Sequence, residues 1–485
     1  MADEAVAQTA RPLGKSLDAA SFTPLHRKYW LLAALGVMLD GFDFFIIGVA
    51  NPLITKGYHL DATLKGLVSA AAIIGSIFGA GLLGPLADRI GRRRIFMYDL
   101  VLFAIFSVAC IFAWDVWSLF AFRLILGVAI GLDYPIAASY LAEVLPSRSR
   151  GRWLVGAFSL QAVGILLGAL VGVVALELFP HIYTWRIMLG FGVVPALLII
   201  YMRRNVPESP RWLAQNGHDA EGARVAAALC GHPVTVTEAD RSRSEASAEG
   251  LGALVQPQLF KRAMLRRTIF TAVPWFLMDI ATYGVGIFTP TILAAIAVAG
   301  SNTTFLSDDI ASTKETAALD VFLVIGFAVA IVLVERVGRV KLQLLGFAVM
   351  AAALCLLGTA EALPGGGNKH LVFVFVAFAF FNTFMNAGPN ATTYALPAEV
   401  FPTEIRAAGQ GFAAASAKMG AAVGVFLFPI LMDDIGTSAL LFLTAGACAL
   451  GFAVTYALRI EPRGRSLDEV SGRVVAQLAP RPVPP

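Results

Sequence analysis

Twelve apolar runs alternate with short polar segments along the chain. They occupy 30–51, 66–86, 95–113, 117–141, 153–177, 184–202, 267–290, 315–335, 341–360, 371–396, 407–432 and 437–458. An α-helix needs about 20 such residues to cross a hydrocarbon core of about 30 Å. The longest interruption, 203–266, is polar, rich in Arg, Glu and Ser, and divides the runs six and six. The pattern predicts an all-α membrane protein with twelve transmembrane helices in two six-helix bundles. Its parts are a tail over 1–29, a bundle over 30–202, a linker over 203–266 with short amphipathic helices, a second bundle over 267–458 and a tail over 459–485.

Composition agrees with that reading. Of the 485 residues, 58% are hydrophobic and only 14% charged, against about a quarter charged in soluble domains. Disordered, disulfide-rich and ordinary cytosolic enzyme classes are thereby excluded. Four of the 37 basic residues (Lys56, Lys65, Lys314, Lys369) fall in loops on one side and three (Arg123, Arg186, Lys418) inside runs; the rest lie on the other side. The positive-inside rule therefore puts both termini in the cytoplasm. A cell-membrane location is expected, with lipid as the surrounding partner. The net charge of +4 calls for an anionic lipid leaflet and not for nucleic acid. Cys110, Cys230, Cys355 and Cys448 form no CxxC unit and no HxxxH pair exists, so no metal or redox site is expected. Gly79-x-Gly81-x-x-Gly84 lies in an apolar helix with no preceding strand, so it is no dinucleotide fingerprint. Gly75/Gly79, Gly127/Gly131, Gly164/Gly168/Gly172 and Gly420/Gly424 read instead as close helix-packing faces. No cofactor and no catalytic site are implied, and a monomer is expected.

The halves repeat. Ala-Asp-Arg-Ile-Gly-Arg at 87–92 returns as Val-Glu-Arg-Val-Gly-Arg at 334–339, and Ala-Glu-Val-Leu-Pro at 142–146 returns as Ala-Glu-Val-Phe-Pro at 398–402. Six spans preserve sidedness, so these are parallel repeats, an arrangement that places a substrate site at the midplane between two rocking halves. Glu143 and Glu399 end spans 4 and 10, each followed by arginines, Arg150 and Arg406 among them. They are expected to pair with Arg92 and Arg339, and Asp88 and Glu335 fall in the repeated loops, where pairing across the halves is expected.

Charges deep inside runs are the sharpest feature. Asp40, Asp43, Asp133, Asp279 and Lys418 each cost about 2.5–3.5 kcal/mol at the centre of a membrane helix. They must face a cavity or one another. Asp40 and Asp43 share a helix face, and Arg123 is placed to neutralise one of these acids. The set can bind a cation, carry protons or form structural pairs. Lys418 points to an anionic substrate, or to neutralisation of Asp279.

Gly-Pro-Leu-Ala-Asp-Arg-Ile-Gly-Arg-Arg-Arg at 84–94, with its echo at 335–339, Arg123, Gly127 and Gly131, and Pro207-Glu-Ser-Pro-Arg211, resembles the signatures of the major facilitator superfamily over about residues 30–460. In related transporters, acid–arginine pairs like those named above hold the inner gate shut. Asp133-Tyr134-Pro135, the stretch from Trp275 through Asp279 to Tyr283, the stretch from Asn386 through Asn390, and Ala-Ala-Ser-Ala-Lys418-Met-Gly-Ala are similar to motifs of the phosphate:proton symporters. That resemblance implies an anion site lined by Tyr134, Gln161, Trp275, Asp279, Tyr283, Asn390 and Lys418. It also implies a proton path through Asp40, Asp43 and Asp133. The expected activity is proton-coupled symport of a small anion by alternating access, with phosphate the leading candidate. Leu132, Phe42 and Ala417 depart from the family pattern and add apolar bulk near the site. A sugar, a polyol or an aromatic or other organic acid is the alternative substrate.

Overall fold

The computed structural model describes residues 11–80, 90–146, 150–241, 257–297, 305–363, 371–401, 405–463 and 470. Ten of its helices are long and apolar enough to cross a membrane, and Ala62–Phe78 is a shorter apolar helix. In order, the passes are Pro24–Tyr58, Ala62–Phe78, Arg92–Ile111, Val116–Val144, Arg150–Leu178 and Thr184–Arg203, then Arg262–Ala297, Phe305–Val337, Arg339–Ala362 and Leu371–Val400. The eleventh and twelfth share Arg406–Leu458, which reverses where Gly436 takes a positive φ of 82°. They are numbered here as spans 1 to 12. The tenth is interrupted by a π-turn over Asn386–Asn390.

Helix ends follow local chemistry. Asp61 accepts from the Leu64 amide at 2.7 Å, and Asp115 and Ser118 cap span 4 reciprocally, satisfying amides that lack intrahelical partners. Span 1 begins at Pro24, six residues before the apolar run, because Thr23 caps it and proline suits the first turn.

The sequence repeat has a geometric counterpart. Gly91 and Gly338 precede spans 3 and 9 with φ of 108° and 102°, a conformation that side chains with a Cβ disfavour. Glu208 then accepts from the amides of Arg92 (2.9 Å) and Arg93 (3.1 Å). Glu461 does the same for Arg339 (3.1 Å) and Val340 (2.9 Å). A carboxylate thus sits at the positive end of each helix dipole. Burial raises the Glu208 carboxyl above its ordinary range, against the pull of three amide donors and Arg92.

These contacts place Arg11, residues 203–241 and 257–262, and residues 459–463 on one side, called here the terminal face. There Arg11–Pro12 pairs in parallel with Val234–Thr235, and Leu13 and Leu17 of the helix Leu13–Ala19 are buried. The linker carries helices Pro210–Gln215 and Asp219–Cys230.

Small residues let helices close on one another. A Cβ on Gly127 would overlap the Ala72 carbonyl, and one on Gly420 the Phe276 carbonyl. The first contact joins spans 2 and 4 inside the first half; the second joins spans 7 and 11 inside the second. Between the halves, spans 1 and 7, 2 and 11, and 5 and 8 are in contact.

Candidate functional site

A cavity of about 530 Å³ lies between the halves. Gln161 from the first half and Trp275, Asp279, Tyr283, Asn390 and Lys418 from the second all line it. The side chain of Tyr134 lies outside the described residues. Lys418 Nζ donates to the Tyr283 hydroxyl oxygen at 3.1 Å, and Gln161 Nε2 approaches the same oxygen at 3.3 Å. With its oxygen accepting from both, the Tyr283 hydroxyl hydrogen is left to donate elsewhere. Lys418 also sits 4.8 Å over the ring of Phe44, so aromatic faces from both halves surround the amine. Among the described residues lining the cavity, Lys418 is the only cation.

The three acids assigned to a proton path lie apart from that wall. Asp43 pairs with Arg123 at 3.2 Å, both side chains almost wholly buried. Asp133 pairs with Arg203 at 3.1 Å. Asp40 is 3% exposed, and one of its oxygens has no hydrogen-bond partner among the described residues. None of the three is among the described lining residues.

Sequence reasoning missed three charged residues. Arg203 was assigned to the linker, whereas it ends span 6 and turns inward. Asp99, on span 3, is 2% exposed and sits against Asp133. Asp320, on span 8, is 8% exposed and lines the cavity. Each stands within six residues of a run boundary, where a charge reads as part of a polar loop. Asp99 and Asp320 lie inside helices of 20 residues or more, which was the available signal; Arg203 ends its span and carried none.

At the terminal face, Arg92 meets Glu143 at 3.0 Å, and Arg339 meets Glu335 at 2.7 Å and Glu399 at 2.8 Å. Glu143 and Glu399 thus meet Arg92 and Arg339, as the sequence suggests, whereas for the charges of the repeated loops it suggests pairing across the halves. These three pairs instead lie within single halves, because the cavity separates the bundles as far as Glu399 and Gln410. Asp88 and the side chains of Arg150 and Arg406 lie outside the described residues. An aromatic contact does bridge the halves above Glu399: Phe158 stacks on Tyr394 with centroids 4.8 Å apart and planes 2° apart.

The opposite face is shut. Gly48 lies so close to the Ile287 carbonyl that a Cβ would overlap it. Lys314 pairs with Glu177 at 2.6 Å across the halves, Lys65 lies over Phe288, and Phe288 stacks on Phe428. The described conformation is therefore closed on that face, with its cavity running toward the terminal face.

Comparison with known proteins bears on this arrangement. The family described as "Sugar (and other) transporter" matches residues 29–473. "Probable inorganic phosphate transporter 1-3" of Oryza sativa subsp. japonica is 33% identical, over 95% of this chain and 97% of its own. "Putative metabolite transport protein YaaU" of Escherichia coli (strain K12) is 29% identical, over 95% and 98%. The partially occluded, inward-open structure of the xylose transporter XylE from E. coli superposes with a TM-score of 0.74 at 21% identity, over 92% of this chain and all of that one. The chain belongs to the sugar (and other) transporter family and has the fold of the major facilitator superfamily.

Proposed function

We propose that the protein is a secondary active transporter that carries a small anion together with protons by alternating access. The observation that carries this reading is Lys418: a single amine in a cavity between two helical halves, held by Tyr283, with Asp279 on the same wall. An oxyanion wants one cation and several neutral donors, and Gln161, Trp275, Tyr283 and Asn390 supply the donors. A carboxylate such as Asp279 accepts from the hydroxyl of a protonated anion and repels one that lacks it. Phosphate is the first candidate, in keeping with the names of several relatives.

Protons supply the driving force: one charge moved through 100 mV is worth about 2.3 kcal/mol. The buried acids Asp40, Asp43 and Asp133, the last two each beside an arginine, would take up and release them. The halves rock about the site, and the acid–arginine pairs at the terminal face rearrange into an inner gate as they meet. The distribution of Lys and Arg supports a cytoplasmic terminal face, and the cell membrane is the location proposed.

A second reading concerns the cargo. A five-atom oxyanion fills only a small part of a cavity of about 530 Å³ walled by Phe44, Phe45, Phe158, Trp275 and Phe327. Those dimensions favour a larger organic acid. Uptake into proteoliposomes of labelled phosphate, organic acids and hexoses, with and without an acid-outside gradient, tests both readings. Gradient-dependent accumulation of an anion is expected. Hexose uptake alone, or uptake indifferent to the gradient, would overturn the proposal.

A further inference from the structure

The cavity has a second set of polar lining residues beside those around Lys418. It is formed by Thr282 and Thr289 of span 7, Asp320 of span 8, and Asn382 and Asn386 of span 10. The hydrogens of this set are largely committed inside the protein. Thr282 donates to the Met278 and Met385 sulfurs at 2.9 and 3.0 Å. Thr289 donates to the Val285 carbonyl at 2.8 Å. Asn382 and Asn386 donate to the carbonyls of Leu319 and Leu323, each at 3.0 Å. The Asn386 carbonyl is itself taken by Asn390 at 2.6 Å. What remains is the Asp320 carboxylate, the Asn382 carbonyl and the lone pairs of two threonines as acceptors, and one N–H each on Asn382 and Asn386 as donors.

Asp320 is the decisive member. It is 92% buried and lines the cavity, and its carboxylate has no hydrogen-bond or ion-pair partner among the described residues. A buried acid without partners is costly in a membrane bundle. A ligand that brings hydroxyl hydrogens would relieve that cost; phosphate, which offers few, would relieve little of it. Around Lys418 the donors are the amine itself, the Trp275 indole and the freed Tyr283 hydroxyl, with Asp279 as an acceptor beside them.

We propose that the second set is a hydroxyl-reading subsite, and that the cargo is a polyhydroxylated organic anion. Its acid group sits on Lys418, and its hydroxyls donate to Asp320 and Asn382. The proposal rests on the anion reading above and specifies the class of anion.

Three probes separate the possibilities: gluconate, hexanoate of the same chain length without hydroxyls, and inorganic phosphate. Binding to the purified full-length protein is measured by calorimetry, and uptake in proteoliposomes. Gluconate is expected to bind more tightly than hexanoate. Because hydrogen bonds to a charged group are the stronger kind, Asp320→Asn should lower the gluconate-to-hexanoate affinity ratio by about ten- to hundredfold. Wild-type protein that binds hexanoate or phosphate as tightly as gluconate overturns the subsite and leaves the anion reading standing. Equal loss of all three probes in Asp320→Asn also overturns it, since that would mark a structural or proton-carrying residue. If no anion binds at all, the anion reading falls and this inference with it. Should Asp320→Asn not fold, Thr289→Val removes a hydroxyl of the same set at nearly constant shape. The ratio must fall there too, and an unchanged ratio overturns the proposal.

Discussion

Arg203 donates to Asp133 at 3.1 Å, with the two side chains 3% and 4% exposed. Three more of its hydrogens go to the carbonyls of Leu32 and Ala33 on span 1 and Phe96 on span 3. One guanidinium thus ties spans 1, 3, 4 and 6 together. Its partner Asp133 in turn lies against Asp99, so the guanidinium stands beside a group of acids. A charge so placed stabilises the bundle only while its counter-charge is present, because low dielectric magnifies both the attraction and the desolvation cost.

Arg203→Leu should therefore lower thermal stability in detergent sharply, by about 3–5 kcal/mol, since it strands Asp133 as an uncompensated buried charge. Arg203→Leu combined with Asp133→Leu should recover much of that loss. Equal destabilisation of the single and double variants would show that the carbonyl bonds, and not the ion pair, carry the effect.

How legible this was in the sequence depends on what each residue must do locally. Gly91 and Gly338 were visible because a signature loop must turn through positive φ and present amides to a carboxylate, and that demand leaves a fixed pattern of Gly, Arg and acid. Asp279 and Lys418 were visible because a charge in the middle of an apolar run has no other explanation. Glu208 and Glu461 as paired helix caps were not, because only their positions after the sixth helix of each half relate them. Asp99, Asp320 and Arg203 were hidden by the edges of runs, where hydropathy alone cannot separate a loop charge from one folded inward. The pairing of Glu143 with Arg92 and of Glu399 with Arg339 was legible; that Glu335 also pairs within its own half was not, since that depends on which face is open.

Lys418→Ala should weaken binding of any transported anion by about ten- to hundredfold, the loss of one charged hydrogen-bond donor, and leave a neutral sugar unaffected. Lys418→Arg keeps the charge but replaces a compact amine with a planar fork; it should restore part of the affinity. Calorimetric titration of the two variants checks both statements. Asp279→Asn should abolish gradient-driven uptake in a protein that still folds and inserts.

Acid should loosen the strap at the terminal face. Burial raises the Asp240 carboxyl, but donors from Thr237, Gly14 and Leu13 outweigh it and hold the group below its ordinary value. The Thr237 amide and hydroxyl lie at 2.9 and 2.7 Å, and the Gly14 amide at 2.9 Å. A carboxyl depressed in the folded state contributes stability above its unfolded value and loses it as pH falls through the folded one. The contact should hold at neutral pH and weaken below about pH 4, the unperturbed aspartate value. A spin label at Lys15→Cys should gain mobility in that range, and Asp240→Asn should show the same mobility at neutral pH.

The shut face makes a steric prediction about the transport cycle. Gly48 packs on the Ile287 carbonyl with no room for a Cβ, and this contact joins span 1 of one half to span 7 of the other. Gly48→Leu therefore cannot adopt the conformation described here without parting the halves at that face. It should populate a state open to the side opposite the termini, in which substrate still binds but uptake stops, since a transporter locked on one side completes no cycle. Glu177→Gln should act in the same direction more weakly: the Lys314–Glu177 pair is half-exposed, and exposed pairs are worth about 0–1 kcal/mol. Distances between spin labels placed in the loops after spans 1 and 7 report the opening directly. Gly48→Leu should lengthen them and Glu177→Gln should broaden them toward longer values. An unchanged distance in Gly48→Leu would mean that the contact yields locally and does not gate the cycle.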